Sequence, residues 1–338
     1  MYISENEIRI RRPDDFHVHL RQDQMLSDVA PHTARQFARA LVMPNLTPPI
    51  RSGAEAVRYR KAVKAAAKTE SFTPLLTIAL TDKTSPRMIT DARELGVIAA
   101  KLYPRGATTN SEEGVSNIQG LWPVYAAMEE CGMVLNLHAE EPRAFCLDRE
   151  KLFIPHITSF VRDLPRLRLV VEHVTTAEMV DLVCELPDTV AATITAHHLE
   201  LTLDHVIGDK VSPHAFCKPI AKRPKDRERL GWAAMYGGPK FFFGSDSAPH
   251  DRRNKECASG CAGIFSAPVA MQFLVTWFEL QGDLAPLEPF VSESGARFYD
   301  LPLNQGEATL IRQPWQVPAM CGDVVPFCAG QLMDWDLI

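Results

Sequence analysis

Residues 96–104 read GVIAAKLYP, a short apolar run that closes with Lys101 and the turn residues behind it. Two later runs have the same form, GMVLNLHAE at 132–140 and LRLVVEHV at 167–174, and they carry His138 and His173. Nearly continuous apolar runs are typical of parallel strands that are buried on both faces. The three segments therefore predict parallel strands, each with a polar side chain near its carboxyl end.

The same kind of run recurs elsewhere in the chain, at 7–20, 38–45, 75–81, 190–199 and 240–250. Helical patterns lie between the runs, at 54–68, 85–95, 118–131, 176–185 and 225–236. Strand and helix alternating eight times is the pattern of a TIM (β/α)8 barrel, an α/β fold. We predict one such barrel domain over residues 1–338, with a short C-terminal extension after Tyr299 that packs on it.

The composition excludes several protein classes. The chain has 338 residues and 46% hydrophobic content, enough for one large core, and its net charge of -6 gives no support for nucleic-acid or membrane-surface binding. No apolar run is as long as a membrane span, and the N-terminus lacks the apolar segment of a secretory signal. We therefore expect a cytoplasmic protein whose eight cysteines are free thiols, including the close pair Cys257 and Cys261.

Two connections are longer than an ordinary strand-to-helix turn. Residues 103–120 read YPRGATTNSEEGVSNIQG, and residues 249–268 read PHDRRNKECASGCAGIFSAP. Both follow the carboxyl ends of predicted strands, where a barrel of this class builds its active site. They are expected to be loops on the catalytic face, and the first is expected to be mobile.

Metal-ligand residue types stand at several of these strand ends. His17 and His19 are two residues apart, so their side chains share one face of a strand. His138, His173 and Asp246 end three other runs. The carboxyl ends of all barrel strands meet at one rim, and imidazole plus carboxylate is a zinc-type ligand set. This combination predicts a two-metal hydrolase site.

Each of these residues has an ordinary alternative when it is taken alone. A single His-x-His pair is more often surface or core histidine than a ligand pair, and Asp246 in the turn-rich GSDSAPH is also placed to cap the next helix. Asp14 and Asp15 are more consistent with a solvated turn than with partners of the histidines. The metal site is favoured because all of these residues stand at strand ends, and a barrel places those ends at one rim.

Lys101 is the residue that fits a metal site least well. An ammonium would be repelled by two dications, and a lysine at a barrel mouth is often simply paired with a carboxylate. Alternatively, its amine has reacted with CO2 to give a carbamate, which is an anion with two oxygens that can bridge two metals. The residue pattern alone leaves both possibilities open.

The order His-x-His, Lys, His, His, Asp along strands one, four, five, six and eight resembles the amidohydrolase superfamily. Longer motifs resemble the dihydroorotases of the bacterial class II type: RRPDDFHVHLR at 11–21, VMPNL at 42–46, KLYP at 101–104, ATTN at 107–110 and DSAPH at 246–250. Together these motifs span nearly the whole chain. Within that family they are highly specific in combination.

The resemblance implies a metal centre and a catalytic residue. One zinc would be held by His17, His19 and Asp246, and a second by His138 and His173. Lys101, as N6-carboxylysine, and a hydroxide would bridge the two Zn2+ ions. Asp246 would also move the proton during the reversible interconversion of N-carbamoyl-L-aspartate and L-dihydroorotate in pyrimidine biosynthesis.

The resemblance also implies substrate contacts and an assembly. Arg21, Asn45 and His250 would bind the substrate carboxylate, and Thr108 and Thr109 would lie on the closing loop. Backbone near Lys218 and Ala262 would contact the ring. A small-molecule substrate and a homodimer are the partners that the resemblance implies.

The sequence departs from the family pattern at three places. Residues 217–220 read CKPI where the family often has leucine second, residues 138–140 read HAE where HGE is commoner, and the loop begins YPRGATT. None removes a candidate ligand. Two alternatives stay open: a hydantoinase- or dihydropyrimidinase-like cyclic amidase, against which the Arg21 site argues, and a non-catalytic scaffold, which would be expected to have lost ligands.

Overall fold

The structure, a computed structural model, describes all 338 residues. Its strands form two sheets. The strands of the larger, parallel sheet are β3 (Asp14–Val18), β4 (Arg39–Val42), β5 (Thr73–Ala79), β6 (Val97–Leu102), β7 (Val134–Leu137), β8 (Leu169–Val171), β9 (Val190–Ile194) and β10 (Phe241–Phe243). The smaller, antiparallel sheet consists of β1 (Tyr2–Ile3), β2 (Glu7–Arg11), β11 (Glu307–Gln316) and β12 (Leu332–Leu337).

The helices lie between and after the strands of the larger sheet. They are α1 (Asp23–Gln36), α2 (Gly53–Ala67), α3 (Pro86–Glu94), α4 (Trp122–Cys131), α5 (Arg149–Asp163), α6 (Ala177–Glu185), α7 (Ala196–Glu200), α8 (Leu203–Ile207), α9 (Pro224–Tyr236), α10 (Arg252–Lys255), α11 (Ala270–Leu280) and α12 (Ser294–Phe298). None of them combines the length and the apolar character that a membrane-spanning helix requires.

The eight parallel strands follow one another in chain order around the sheet, which confirms the predicted barrel. The last residues of β3 and the residues just beyond β10 bring the two ends of the sheet together. Val18 pairs with Ser247 in parallel register, and the N–H of Asp246 donates to the carbonyl of His17 at 2.8 Å. Closure of the barrel therefore places Asp246 beside the His-x-His pair, although about 230 residues of chain separate them.

Aromatic side chains fill the opposite end of the barrel. The ring of Phe16 stacks on Tyr299 with centroids 5.0 Å apart and meets Phe242 edge-on at 5.4 Å. Gly295 in α12 lies against this cluster, and a Cβ there would come within 2.3 Å of the Phe16 ring. The absence of a side chain at 295 lets α12 cover this end closely. The aromatic cluster therefore closes this end of the barrel interior.

The predicted first run, 7–20, is corrected by the structure. It is two strands in two sheets: β2 pairs with β11, and only β3 belongs to the barrel. Pro13 lies between them and cannot donate a backbone hydrogen bond, so the ladder is interrupted there. The tail after Tyr299 supplies β11 and β12, which pair with each other and with β2. The C-terminal extension that the sequence predicted is thus half of a small sheet, and the N-terminal strands form the other half.

Seven of the twelve helices were absent from the prediction, and three of these, α1, α5 and α11, are long. Helices α1 and α5 contain internal prolines, Pro31 and Pro155, which in a sequence indicate a helix break. Helix α11 is apolar on nearly all sides, so it shows no helical periodicity. The predicted seventh run was also too long. Strand β9 ends at Ile194, and Thr195 caps α7 by accepting a hydrogen bond from the N–H of His198.

Candidate active site

His17, His19 and Asp246 converge at the rim of the barrel. The Nε2 atoms of His17 and His19 lie 3.2 Å apart, and they lie 3.3 and 3.1 Å from Oδ1 of Asp246. All three side chains are buried. Ligands held at about 2.0–2.1 Å around one tetrahedral cation are separated by about 3.3 Å. The three atoms therefore fit the first shell of a single zinc-type ion.

His138 and His173 form a second group beside the first. Their ring centroids are 4.8 Å apart, and the ring of His173 is 5.0 Å from that of His17. His138 Nε2 lies 2.9 Å from a carboxylate oxygen of Glu140, which orients the ring and leaves Nδ1 free for a cation. His173 has a buried Nδ1 without any hydrogen-bond partner. This group also fits a metal ion.

The four histidines and the aspartate have the protonation states that metal binding needs. Burial lowers the pKa of His17, His138 and His173, and it lowers the pKa of His19 to about 4. The imidazoles are therefore neutral at physiological pH, which is the ligating form. Burial would raise the pKa of Asp246, but hydrogen bonds with His17 and His19 outweigh it and hold that pKa well below its usual range.

Lys101 lies at the base of the rim and has no exposed surface. Its ammonium donates to Oε2 of Glu172, the same oxygen that lies 3.0 Å from His17 Nδ1. Asn136 Nδ2 donates to the other oxygen of Glu172 at 2.6 Å. Burial lowers the pKa of Lys101 well below its ordinary value. A lysine that easily becomes a neutral amine is the form that can react with CO2.

Three residues of the rim have left-handed backbone. The φ angles are 58° at Arg21, 45° at His173 and 42° at Asp246. A residue with a Cβ costs roughly 1–2 kcal/mol more in this left-handed region than in the right-handed helical region. Such residues cluster at functional sites. The backbone is therefore strained where it aims two candidate metal ligands and one candidate substrate ligand into the cavity.

Arg21 and His250 form a pair on one side of the cavity. Arg21 Nε donates to the carbonyl of Pro249 at 3.0 Å, and a terminal nitrogen lies 3.0 Å from His250 Nε2. His250 Nε2 also lies 3.0 Å from the carbonyl of Ala262. Burial and the charge of Arg21 lower the pKa of His250 to about 3, so its ring is neutral. A neutral Nε2 serves only one of these two partners at a time.

Asn45 connects the rim to the long loop at 103–120. Its Nδ2 donates to the carbonyl of Thr109 at 3.4 Å, and its own carbonyl accepts from Asn110 Nδ2 at 3.2 Å. Its side-chain oxygen is buried without a partner. The loop, which carries Thr108 and Thr109, is thereby folded over the cavity. The side-chain amide of Asn45 retains hydrogen-bonding capacity for a ligand.

Most of the predicted site residues line one cavity at the carboxyl ends of the strands. These are His17, His19, Arg21, Asn45, Thr108, Thr109, His138, His173, Lys218, Asp246 and Ala262. The other two are adjacent to it: Lys101 lies below the histidines, and His250 contacts Arg21. The structure thus brings together residues that span more than 240 positions of the sequence.

Several residues of the site were not predicted. Glu172 was missed, although a glutamate inside the apolar run 167–174 is a signal, because carboxylates are seldom fully buried unless paired. Tyr103 lines the cavity, its ring lies 5.1 Å from Lys101 Nζ, and its hydroxyl is buried without a partner. Nothing in the loop sequence distinguishes this tyrosine from an ordinary core residue.

The expectation of a solvated turn at Asp14 and Asp15 was wrong. Both are fully buried in β3. Asp14 accepts two hydrogen bonds from Arg39, at 2.8 and 2.5 Å. Asp15 accepts from the N–H and the hydroxyl of Ser245, at 2.8 and 2.6 Å, and burial raises its pKa to about 6. Asp15 thus joins the start of the His-x-His segment to the residue before Asp246.

A model of the amidohydrolase family matches residues 14–311. A dihydroorotase of Sphingopyxis alaskensis is 47% identical, over 98% of this chain and 99% of that protein. A dihydroorotase of Campylobacter jejuni superposes with a TM-score of 0.90 at 38% identity, covering 100% of this chain and 99% of the other. A Saccharomyces cerevisiae dihydroorotase, solved in complex with 5-fluoroorotic acid, gives 0.92 at 34% identity, with 98% of each chain covered.

Proposed function

This chain belongs to the amidohydrolase family and, within it, to the dihydroorotases, and from that premise we propose a two-metal mechanism carried by its rim residues. The enzyme interconverts N-carbamoyl-L-aspartate and L-dihydroorotate, in the ring-closing direction during pyrimidine synthesis. The observation that carries the metal centre is the set of 3.1–3.3 Å separations among His17, His19 and Asp246 at the rim. Three electron-donating atoms at this spacing are stabilised more by binding one cation than by contacting one another.

Two Zn2+ ions are the cofactors that the donor set fits. His17, His19 and Asp246 would hold one ion, and His138 and His173 would hold the other. When bound, such a pair lowers the pKa of an attacking water toward roughly 7 and polarises the carbonyl that the water attacks. Glu172 adds a carboxylate beside His17 and His173, so the rim is rich in neutral nitrogens and carboxylate oxygens.

Lys101 joins the two ligand sets as N6-carboxylysine in this proposal. As an ammonium, it would place a third positive charge between two dications. As a carbamate, it supplies a negative charge and two oxygens at that position. Full burial of Lys101 and its low pKa support this modification. The hydrogen bond to Glu172 is the contact of the unmodified amine, so the carbamate would replace it.

Asp246 is the proposed catalytic acid and base. In ring opening, a water oxygen forms a bond to the ring carbonyl carbon, and the bond from that carbon to the ring nitrogen breaks. Asp246 takes a proton from the water and delivers it to the departing nitrogen. The ionised state of Asp246, maintained by hydrogen bonds with His17 and His19, is the form that accepts this proton.

The substrate carboxylate binds at Arg21, Asn45 and His250. Arg21 presents a planar fork that matches a carboxylate in two hydrogen bonds. Asn45 contributes an amide N–H, and neutral His250 contributes a ring N–H. Thr108 and Thr109 cover this end of the substrate, since the Asn45–Thr109 contact already draws their loop to the rim.

The runner-up is a hydantoinase- or dihydropyrimidinase-like amidase. Its substrates lack the ring carboxylate, so they would leave the half-buried Arg21 without an anion. We would assay purified enzyme with dihydroorotate and with hydantoin, before and after metal removal by a chelator. Metal-dependent turnover of dihydroorotate alone is expected; preferential hydantoin turnover would favour the runner-up, and no turnover of either would favour the scaffold.

We further infer that residues 1–338 act as one barrel domain, in the cytoplasm and as a homodimer. The sheet formed by β1, β2, β11 and β12 supports the single unit, because it joins both ends of the chain. All eight cysteines are unpaired, as a reducing compartment requires. Sedimentation of the purified protein tests the dimer.

A further inference from the structure

Lys255 is a buried lysine whose ammonium contacts only backbone carbonyls. It ends the short helix α10 and is 3% exposed. Its Nζ donates to the carbonyls of Phe216 and Cys261, each at 3.1 Å, and to that of Gly263. An ammonium has three N–H groups, so each one has an acceptor. No carboxylate forms an ion pair with it.

Burying this charge opposes folding. Desolvation lowers the pKa of Lys255 to about 8, and the titratable groups that also act on that pKa are the thiols of Cys217 and Cys261 and the guanidinium of Arg21. A methionine of similar length would fill the same volume without a charge. A buried cation bound only by main-chain oxygens therefore indicates a role in fixing the backbone.

The three carbonyls belong to two segments that come from different parts of the chain, 216–218 and 261–263. The N–H of Gly263 donates to the carbonyl of Phe216 at 2.9 Å, so the segments also touch directly. Gly263 has a φ of +149°, and a Cβ there would lie 2.4 Å from the carbonyl oxygen of Ala248. Lys255 thus connects the two segments at a point where the backbone has no room to shift.

Apart from Gly263, each segment presents one residue to the cavity, Lys218 and Ala262. The backbone N–H groups of both residues donate no hydrogen bond within the protein, although the carbonyls around Ala262 are all engaged. Unpaired backbone N–H groups beside a buried site are uncommon, because each costs free energy unless a partner arrives. A cyclic amide carries carbonyl oxygens and N–H groups that are complementary to peptide groups.

We propose that Lys255 is a positioning residue that sets the distance between the backbones of Lys218 and Ala262 and thereby fits them to the ring of the substrate. The inference rests on the proposed function, which provides a cyclic amide as the ligand. It assigns ring recognition to main chain held by a buried cation, while Arg21, Asn45 and His250 recognise the carboxylate. Side-chain identity at position 218 then matters little.

Lys240 is a matched control for Lys255. Its side chain is 17% exposed, and its Nζ also donates to backbone carbonyls, those of Leu186 and Val183, beside the start of β10. Its one additional partner is the fully exposed carboxylate of Asp188, 3.7 Å away. That contact lies at the end of the barrel away from the rim. Lys240→Met removes a similar set of hydrogen bonds without touching the site, so it measures the purely structural cost.

The test compares Lys255→Met, Lys255→Gln and Lys240→Met in the metal-loaded enzyme. Methionine removes all three donors, and glutamine keeps two, so the glutamine variant carries the test should methionine prevent folding. The measurements are KM and kcat for dihydroorotate, calorimetric Kd for orotate, metal content and Tm. Since a misplacement of about 1 Å can cost about a hundredfold, we expect KM and Kd to rise about ten- to a hundredfold in Lys255→Met and less in Lys255→Gln.

The expected pattern also includes a smaller change in kcat, full metal content, and wild-type KM in Lys240→Met despite a lower Tm. KM and Kd within twofold of wild type in both Lys255 variants would overturn the role of Lys255, as would a loss of metal that accounts for the change. The wild-type assay separates the two claims. Absence of dihydroorotate turnover by the wild type refutes the proposed function, whereas wild-type turnover with unchanged variants refutes only the role of Lys255.

Discussion

Replacing Arg21 with alanine tests the carboxylate site directly. The guanidinium is held by the carbonyl of Pro249 and by His250, both at 3.0 Å, so it is already oriented before a substrate arrives. Losing one partner of a buried, hydrogen-bonded charge pair costs about 2–5 kcal/mol. We take about 3 kcal/mol, because water can enter the space that the shortened side chain leaves. That value corresponds to an increase of about 150-fold in KM.

The assay is steady-state ring opening of dihydroorotate, with metal content measured on the same samples. Arg168→Ala is the matched control, because Arg168 also donates to backbone carbonyls, those of Phe298 and Gly132, at the far end of the barrel. We expect it to lower Tm and leave KM unchanged. Arg21→Lys keeps the charge but loses the fork, so an intermediate KM is expected. A KM within threefold of wild type in Arg21→Ala, or a parallel loss of metal, would refute the reasoning.

Three further predictions concern catalysis, metal affinity and pH. Asp246→Asn should lower kcat by at least about a hundredfold because the amide cannot accept the proton; retention of most activity in metal-replete samples would place the proton transfer elsewhere. Glu172→Gln should weaken metal binding about 10- to 100-fold, because His17 and Lys101 lose the carboxylate that orients them. Metal-buffered titrations measure this affinity, and an unchanged affinity would make Glu172 a structural residue only. Ring opening releases a proton once the new carboxyl group is ionised. The equilibrium ratio of open acid to ring should therefore rise about tenfold per pH unit above about pH 5. A ratio independent of pH would contradict this stoichiometry.

Much of the fold could be predicted because parallel strands have a clear sequence pattern. Runs such as 96–104 and 167–174 are apolar on both faces, and the barrel places all their carboxyl ends at one rim. Position along the strand therefore predicts position in the site. His138 and His173, for example, end neighbouring strands, and their rings are adjacent in the structure.

Other features depend on contacts that periodicity does not contain. The run 7–20 looks continuous, yet Pro13 divides it, and the pairing of β2 with β11 is set by a tail about 300 residues away. The burial of Asp14 follows from its pairing with Arg39. Lys255 stands in the charged stretch 251–256, DRRNKE, and its burial and its three carbonyl partners distinguish it from a surface lysine.

The central claim is that the rim holds two metal ions bridged by a carboxylated lysine. The most direct measurement is a crystal structure of the zinc-loaded enzyme, grown with bicarbonate, with anomalous data at the zinc edge. The account predicts two anomalous peaks about 3.5–4 Å apart, with density extending beyond Nζ of Lys101 toward both. A single peak or none, with Lys101 unmodified and still paired with Glu172, would contradict it.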